Sequence, residues 1–257
     1  MSEERRLILA EAAKLLDAST RRLFLRRAAG LGTLSLLTGC DITGGDGLER
    51  ALSGLSLAGV SSWNDRVQGW LMGRRLAPEY PASMIRRPFP FNSFYQPNTP
   101  DGAPVIDPAG WVLNVTGMVA DRRDWRLAEL QALPQFTQIT RHICIEGWSA
   151  IGLWTGVRLS DFLRRVGADL TARYVTFRCD DNYVTSIDMP SALHPQTQLC
   201  LAMDGRGLER AHGFPLKLRI PTKLGFKNAK HIGEIEVGNT FTGGTWETYG
   251  YNWFAGL

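Results

Sequence analysis

Residues 173–179 (RYVTFRC) and 183–189 (YVTSIDM) are two β-rich runs separated only by Asp180-Asp181-Asn182, and this spacing constrains the fold more than any other feature. The runs are rich in β-branched and aromatic residues, which suit a pleated, half-buried surface, and the Asp/Asn triplet has the composition of a hairpin turn. Around this hairpin lie further short runs of the same kind. In residues 110–119 (GWVLNVTGMV), Trp111, Leu113 and Val115 alternate with smaller or polar residues, so the period of two predicts a strand. Residues 138–148 (QITRHICIEGW) read as strand ending at Gly147, and residues 215–221 and 232–238 read as alternating strands on either side of a Gly-Phe-Lys-Asn loop. Only two short helices are predicted: residues 126–133, and a helix N-capped by Ser160 that stops at Gly167. There is no internal repeat and no strand–helix alternation. The predicted class is α+β, with mixed or antiparallel strands and short helices.

The N-terminal part has a different character. The apolar run at residues 28–38 is about eleven residues long, whereas a bilayer span needs roughly twenty, so it reads as the apolar centre of a signal peptide. Thr20-Arg21-Arg22-Leu23-Phe24-Leu25-Arg26 matches the twin-arginine export pattern; the alternative is the start of a basic amphipathic helix. Leu37-Thr38-Gly39-Cys40 resembles a lipobox, whose cleavage leaves a lipidated N-terminal cysteine; the alternative is a plain helix end at Gly39. Asp41 resembles the residue that holds lipoproteins at the inner membrane in enteric bacteria. The expected organisation is a twin-arginine signal peptide with lipobox at 1–39, a Gly/Ser/Leu-rich tether at 40–62, and a single domain at 63–257. The expected location is the periplasmic side of the inner membrane, anchored through Cys40.

The net charge of +4 is not spread over the chain. Of 29 Lys and Arg and 25 Asp and Glu, seven and four lie in residues 1–39, leaving 22 against 21 for the remainder. A near-neutral domain is a poor nucleic-acid binder, and none is expected. If Cys40 is lipidated, Cys144, Cys179 and Cys200 remain, and an odd number in an oxidising compartment leaves at least one outside intramolecular pairing. Spacing leaves open whether Cys179 and Cys200 pair.

Several chemistries lack their motifs. There is no G-x-G-x-x-G after a strand, no Walker loop, no G-x-S-x-G and no C-x-x-C, and His142, His194, His212 and His231 never stand at the i, i+4 spacing of a helical zinc pair. What remains is Cys144, preceded by Arg141 and His142, which read as cationic neighbours that favour a thiolate. Three occupations stay open: soft metal ligand, nucleophile, or small buried hydrophobe. Residues 86–108, with six prolines and no periodicity, form a long irregular segment of the kind that often carries function.

Taken in order, several motifs resemble the sulfite-oxidase-type molybdopterin domain. They are Trp111-x-Leu113-x-Val115-x-Gly117-x-Val119, Leu127-x-x-Leu130-x-x-Leu133-Pro134, Cys144-x-Glu146-x-Trp148, Trp154-x-Gly156-Val157 and Leu159-x-x-Phe162-Leu163. His212-Gly213-Phe214-Pro215-Leu216-Lys217-Leu218-x-Ile220-Pro221 and Gly225-Phe226-Lys227-Asn228-Ala229-Lys230 continue the match, which covers about residues 88–240. The segment FNSFYQ and the LGFK motif are similar to the branch that contains the periplasmic methionine-sulfoxide reductases.

The resemblance implies Mo-molybdopterin, one pterin and one molybdenum, with Cys144 as the thiolate ligand of the metal. It implies that Asn92, Tyr95 and Gln96 contact the pterin, and that Cys179, His212 and Lys217 stand where the branch has Thr, Asn and Arg. Asn228, Ala229 and Lys230 match a loop that holds the cofactor's phosphate, and Cys144 and His212 are the candidate catalytic positions. Main-chain donors plus a cation suit a dianionic phosphate, although Lys217 and Lys230 also read as solvated surface charges. Trp148 and Tyr95 read either as lining the substrate mouth or as core aromatics. No heme is expected in this chain, so a separate membrane b-type cytochrome or soluble cytochrome c is the implied electron partner. Three functions are implied: reduction of a sulfoxide or other S-oxide, the reverse direction as a sulfite dehydrogenase, or a metal-free lipoprotein that kept the fold for binding or assembly. His212 resembles the sulfite oxidases and Asn92 the sulfoxide reductases.

Overall fold

The alternation read at Leu113 and Val115 is realised in a strand whose two inward residues are buried while Asn114 faces solvent. The computed structural model describes Val67, Gly69 and residues 75–92 and 100–257. The export motif, the lipobox, the tether, Tyr95 and Gln96 lie outside the described residues.

In chain order the strands are β1 (Val112–Gly117), β2 (Trp125–Arg126), β3 (Phe136–Ile143), β4 (Ser149–Arg158), β5 (Tyr174–Cys179), β6 (Val184–Asp188), β7 (Gln198–Met203), β8 (Arg206–Gly207), β9 (Lys217–Arg219) and β10 (Ile232–Gly238). The helices are α1 (Leu127–Ala132), α2 (Leu159–Arg165) and α3 (Met189–Ala192). One five-stranded sheet has the order β2-β1-β10-β5-β6, and the other runs β3-β4-β7-β8 with β9 also paired to β7. The contact of β1 with β10 is parallel and the remaining pairings are antiparallel. This is the mixed α+β architecture expected.

The β5–β6 hairpin forms as read, with Asn182 at φ 65 in its turn, a conformation Asn tolerates. The two strands flanking the Gly-Phe-Lys-Asn loop form as β9 and β10, but they belong to different sheets, so the loop between them crosses the molecule. One core cluster joins the sheets: Leu113, Phe177 and Ile235 come from the first, Leu199 and Leu218 from the second. Phe162 of α2 meets Trp125 edge to face at 5.3 Å within it. Each such fully buried large side chain contributes about 1.5–3 kcal/mol relative to an exposed one.

Two expectations are corrected. Cys144 is not on a strand: β3 ends at Ile143, and Cys144 opens the turn into β4, closed by its N–H donating to the Trp148 carbonyl at 2.9 Å. Gly147 takes φ +90 in that turn, which glycine adopts freely. Helix α2 begins at Leu159, not after Ser160, because the Leu159 N–H is satisfied by the Thr197 carbonyl at 2.9 Å. A neighbouring backbone acceptor thus removes the need for a side-chain cap.

Candidate active site

The ends of β3, β5 and β9, and the loop leading into β10, converge on one cavity of about 260 Å³. Cys144 stands in its wall, buried, with Asn92 Nδ2 at 3.5 Å and Glu146 Oε2 at 3.6 Å from Sγ. Glu146 Oε2 also accepts from Trp148 Nε1 at 2.9 Å, which fixes the carboxylate beside the sulfur. Burial pushes the Cys144 thiol up from its ordinary value; the Glu146 N–H opposes this, and the Glu146 carboxylate adds to it.

The cationic neighbours read from the sequence are corrected accordingly. Arg141 points to the other side of β3, its guanidinium 5.0 Å from the Tyr80 ring centroid. His142 faces inward and is buried, and burial together with Arg219, Lys217 and Lys230 holds it well below the usual histidine value, so it is neutral.

The positive charge comes instead from across the chain. Lys217 is buried, its Nζ donating to the Asn228 carbonyl at 3.1 Å, and burial pushes its pKa down to about 8. Lys230 is half-buried and donates to the carbonyls of Asn92 at 2.5 Å and Ala211 at 2.7 Å, with burial and then the charge of Lys217 holding it well below the ordinary value. Neither is a solvated surface charge. Behind them Arg219 is fully buried, bonded to Asn228 Oδ1, Thr140 Oγ1 and the Arg141 carbonyl, and lowered to about 9 by burial. Asn228 Oδ1 also accepts from the Ile220 N–H at 2.9 Å, so that side chain shapes the loop from inside while Lys217, Ala229 and Lys230 face the cavity.

Of the positions read from the sequence, Asn92, Cys144, Lys217, Asn228, Ala229 and Lys230 line this one cavity. Cys179 and His212 lie outside its lining. Cys179 is in the core cluster, its thiol raised well above its ordinary value by burial and then by Asp181 and Asp180. His212 is half-buried, edge-on to Phe89 at 5.8 Å, and lines a neighbouring depression of about 310 Å³ with Arg86, Arg87 and Arg206. Burial and then Lys230 and Lys217 lower His212 to about 4. Cys144, Cys179 and Cys200 are all free thiols.

Sequence reasoning did not single out Asp181, Tyr183 or Trp246 as cavity residues. Asp181 and Tyr183 sit in and just after the hairpin turn, and the Tyr183 hydroxyl donates to the Phe226 carbonyl at 2.5 Å, tying that turn to the Gly225–Lys227 segment. Among the described residues no group of three or more His, Cys, Asp and Glu could hold a metal ion on its own, and no helix is long and apolar enough to cross a membrane.

Residues 101–246 match the family described as oxidoreductase molybdopterin binding domain. A protein of Azospira oryzae, provisionally named protein-methionine-sulfoxide reductase subunit YedZ1, is 54% identical over 247 residues, which is 96% of this chain and 91% of that protein. The protein-methionine-sulfoxide reductase catalytic subunit MsrP of Ralstonia nicotianae is 28% identical, across 73% of this chain and 66% of its own. Among solved structures, the sulfane dehydrogenase SoxCD of Paracoccus pantotrophus superposes with a TM-score of 0.51 at 18% identity, covering 54% of this chain and 41% of that one. That likeness is one of fold.

Proposed function

Because the chain belongs to the oxidoreductase molybdopterin binding domain family, we propose that it is a molybdenum-dependent reductase of sulfoxides, acting on methionine sulfoxide. The observation that carries this reading is the single cysteine sulfur in the wall of a cavity that Lys217 and Lys230 also line. The residues fit the group. His142 Nδ1 is buried with no hydrogen-bond partner, a polar atom that a polar ligand would satisfy. Gly225 lets the His142 ring pack against the backbone of this loop, since a Cβ there would meet His142 Nε2 at 2.8 Å. Two lysines and an arginine clustered here bring more positive charge than Asp181 and Glu146 balance, an arrangement suited to an anionic cofactor.

Cys144 would ligate the metal, and Lys217, Lys230 and the Ala229 backbone would hold the pterin's phosphate. The bound molybdenum centre supplies two-electron oxygen-atom exchange with sulfur. The chain's own part begins at Cys144 Sγ. Ligation requires loss of the thiol proton, and Glu146 Oε2 at 3.6 Å is placed to take it. Asn92 Nδ2 and the Glu146 N–H donate to the sulfur and favour its deprotonated form. Neutral His142 fills the wall without adding a fourth charge. Lys217 and Lys230 set a positive field at the cavity, which suits the cofactor's anionic phosphate.

The names of the relatives favour reduction over sulfite oxidation. The leader supports export by the twin-arginine route and a lipid anchor at Cys40, which would bring the enzyme beside a membrane cytochrome as its electron donor. The test is metal analysis of protein matured in a molybdopterin-competent host, beside a Cys144→Ser variant. About one molybdenum per wild-type chain, little in the variant, and reduction of methionine sulfoxide by a reduced dye are expected; wild-type protein without molybdenum would overturn the reading.

A further inference from the structure

The chain after β10 folds back along the first sheet. Strand β6 is at an edge of that sheet, and residues 239–257 run over it. Asn239 Oδ1 accepts from the Arg173 N–H at 2.9 Å, and the Thr245 N–H donates to the Val184 carbonyl at 2.8 Å while the Val184 N–H donates to Thr245 Oγ1 at 3.0 Å. Ser186 Oγ donates to the Gly243 carbonyl at 2.6 Å and accepts from Trp253 Nε1 at 2.9 Å. The segment thus satisfies backbone groups that an edge strand leaves open.

The same strap reaches the loop that lines the cavity. Trp246 stands in the cavity wall itself. Beyond it, Glu247 pairs with the fully buried Lys227. The Phe254 carbonyl accepts from the buried Lys223 Nζ at 2.6 Å, and the Phe254 ring centroid lies 3.4 Å from that nitrogen. The strap then joins residues 222–224 backbone to backbone: the Leu224 N–H donates to the Ala255 carbonyl at 2.9 Å and the Leu257 N–H to the Thr222 carbonyl at 3.0 Å. Lys223 and Lys227 sit on the stretch that leads into Asn228-Ala229-Lys230. A buried ammonium deprived of an acceptor is costly, so undocking the strap also loosens residues 222–230, and with them the wall made by Phe226, Ala229 and Lys230. The coupling is reciprocal: a ligand that fixes Ala229 and Lys230 also holds Lys223 and Lys227 where the strap meets them. Of residues 239–257, Phe254 and Ala255 are the only buried hydrophobics. An element held mostly by hydrogen bonds over little buried apolar area opens before the sheets do.

We propose that residues 239–257 are a latch on the cofactor cavity, docked more tightly when molybdopterin is bound and the first part to open when it is absent. This rests on the cofactor assignment above. Full-length wild type and Phe254→Ala are prepared from molybdopterin-competent and molybdopterin-deficient hosts, and molybdenum is measured in each sample. By hydrogen exchange, wild-type amides in residues 221–230 and 239–257 are expected to exchange on the order of tenfold more slowly in the loaded protein, and those of β1 and α1 to change less than twofold. Loaded Phe254→Ala should lose molybdenum during dialysis on the order of tenfold faster than wild type. It should also lower Tm by about 4 °C more in the loaded than in the unloaded protein, because a contact that only braces the fold lowers both equally.

Equal exchange of the latch in loaded and unloaded wild type overturns the proposal, and so do equal Tm losses in the two forms. Should Phe254→Ala fail to accumulate, Glu247→Gln, which keeps the side-chain shape and removes the charge facing Lys227, takes the same two measurements. Wild-type protein from the competent host without molybdenum overturns the cofactor assignment itself, an outcome the metal analysis separates from a failure of the latch.

Discussion

Lys217 enters the folded protein at a cost that its bond to the Asn228 carbonyl offsets only in part and a bound anion would offset further. Burial lowers its pKa from 10.5 to about 8, so the folded state disfavours the charged form by about 3 kcal/mol. Below pH 8 the lysine is charged in both folded and unfolded states and the penalty is complete. Between pH 8 and 10.5 the unfolded chain binds the extra proton, so the penalty shrinks as pH rises. Lys217→Met is therefore expected to stabilise the cofactor-free protein by about 1–3 kcal/mol at pH 7, the lost bond to the Asn228 carbonyl reducing the gain. Its advantage over wild type should fade towards pH 10, and cofactor retention should be lost. Urea unfolding of protein from a molybdopterin-deficient host, taken across pH, measures the first two effects, and metal analysis in a competent host the third. At this scale the sequence revealed the positions that stand in motifs: Cys144, Lys217 and Asn228-Ala229-Lys230 meet at one cavity. It did not reveal Asp181 or Trp246, because nothing local marks a hairpin-turn Asp or a late Trp as neighbours of residue 144. It also gave His142 the wrong charge, since the desolvation that keeps it neutral exists only in the packed fold.

Strand β4 shows the same divide among the elements. It lies between β3 and β7, and its burial pattern mixes inward and outward positions too little to show a period of two. Its alternation is therefore invisible in the sequence, and β7, largely buried, was missed for the same reason. The exposed-faced strands and the hairpin were legible because water on one face writes a pattern. Gly156, inside the Trp154-x-Gly156-Val157 motif, records what β4 needs. A Cβ at that position would sit 2.0 Å from the Leu199 carbonyl and 2.6 Å from the Cys200 Cα, at the bulge where β4 and β7 shift register. No side chain can yield there, because both obstacles are backbone. Gly156→Ala is expected to cost about 3 kcal/mol or more and to lower Tm by roughly 6–12 °C. By contrast, Gly205→Ala, where nothing lies within 4 Å of the added carbon, should cost only the strain of its φ of +76. Thermal unfolding of the two variants side by side checks the contrast.

The cavity as a whole does not exist until both sheets are assembled. His142 and Lys217 come from one sheet, Asp181 from the hairpin of the other, and Trp246 from the segment after β10. A cofactor held among residues spanning 92 to 246 is captured during or after folding, and folding of such long-range strand pairings is slow. Under the export reading proposed above, a pterin supplied in the cytoplasm would require the protein to cross the membrane already folded around it, and a twin-arginine leader is the address suited to that order of events. The proposed leader and the cavity are thus consistent with each other. Two consequences can be measured in fractionated cells. Arg21→Lys/Arg22→Lys should leave molybdenum-loaded, dye-active protein in the cytoplasm, because export fails after the site is complete. Cys40→Ser should release active protein from the membrane into the periplasm with its molybdenum content unchanged. Wild-type protein found in the periplasm of a molybdopterin-deficient host in normal amount would break the link between cofactor capture and export. A Cys40→Ser variant still held in the membrane fraction would remove the lipid anchor from the reading.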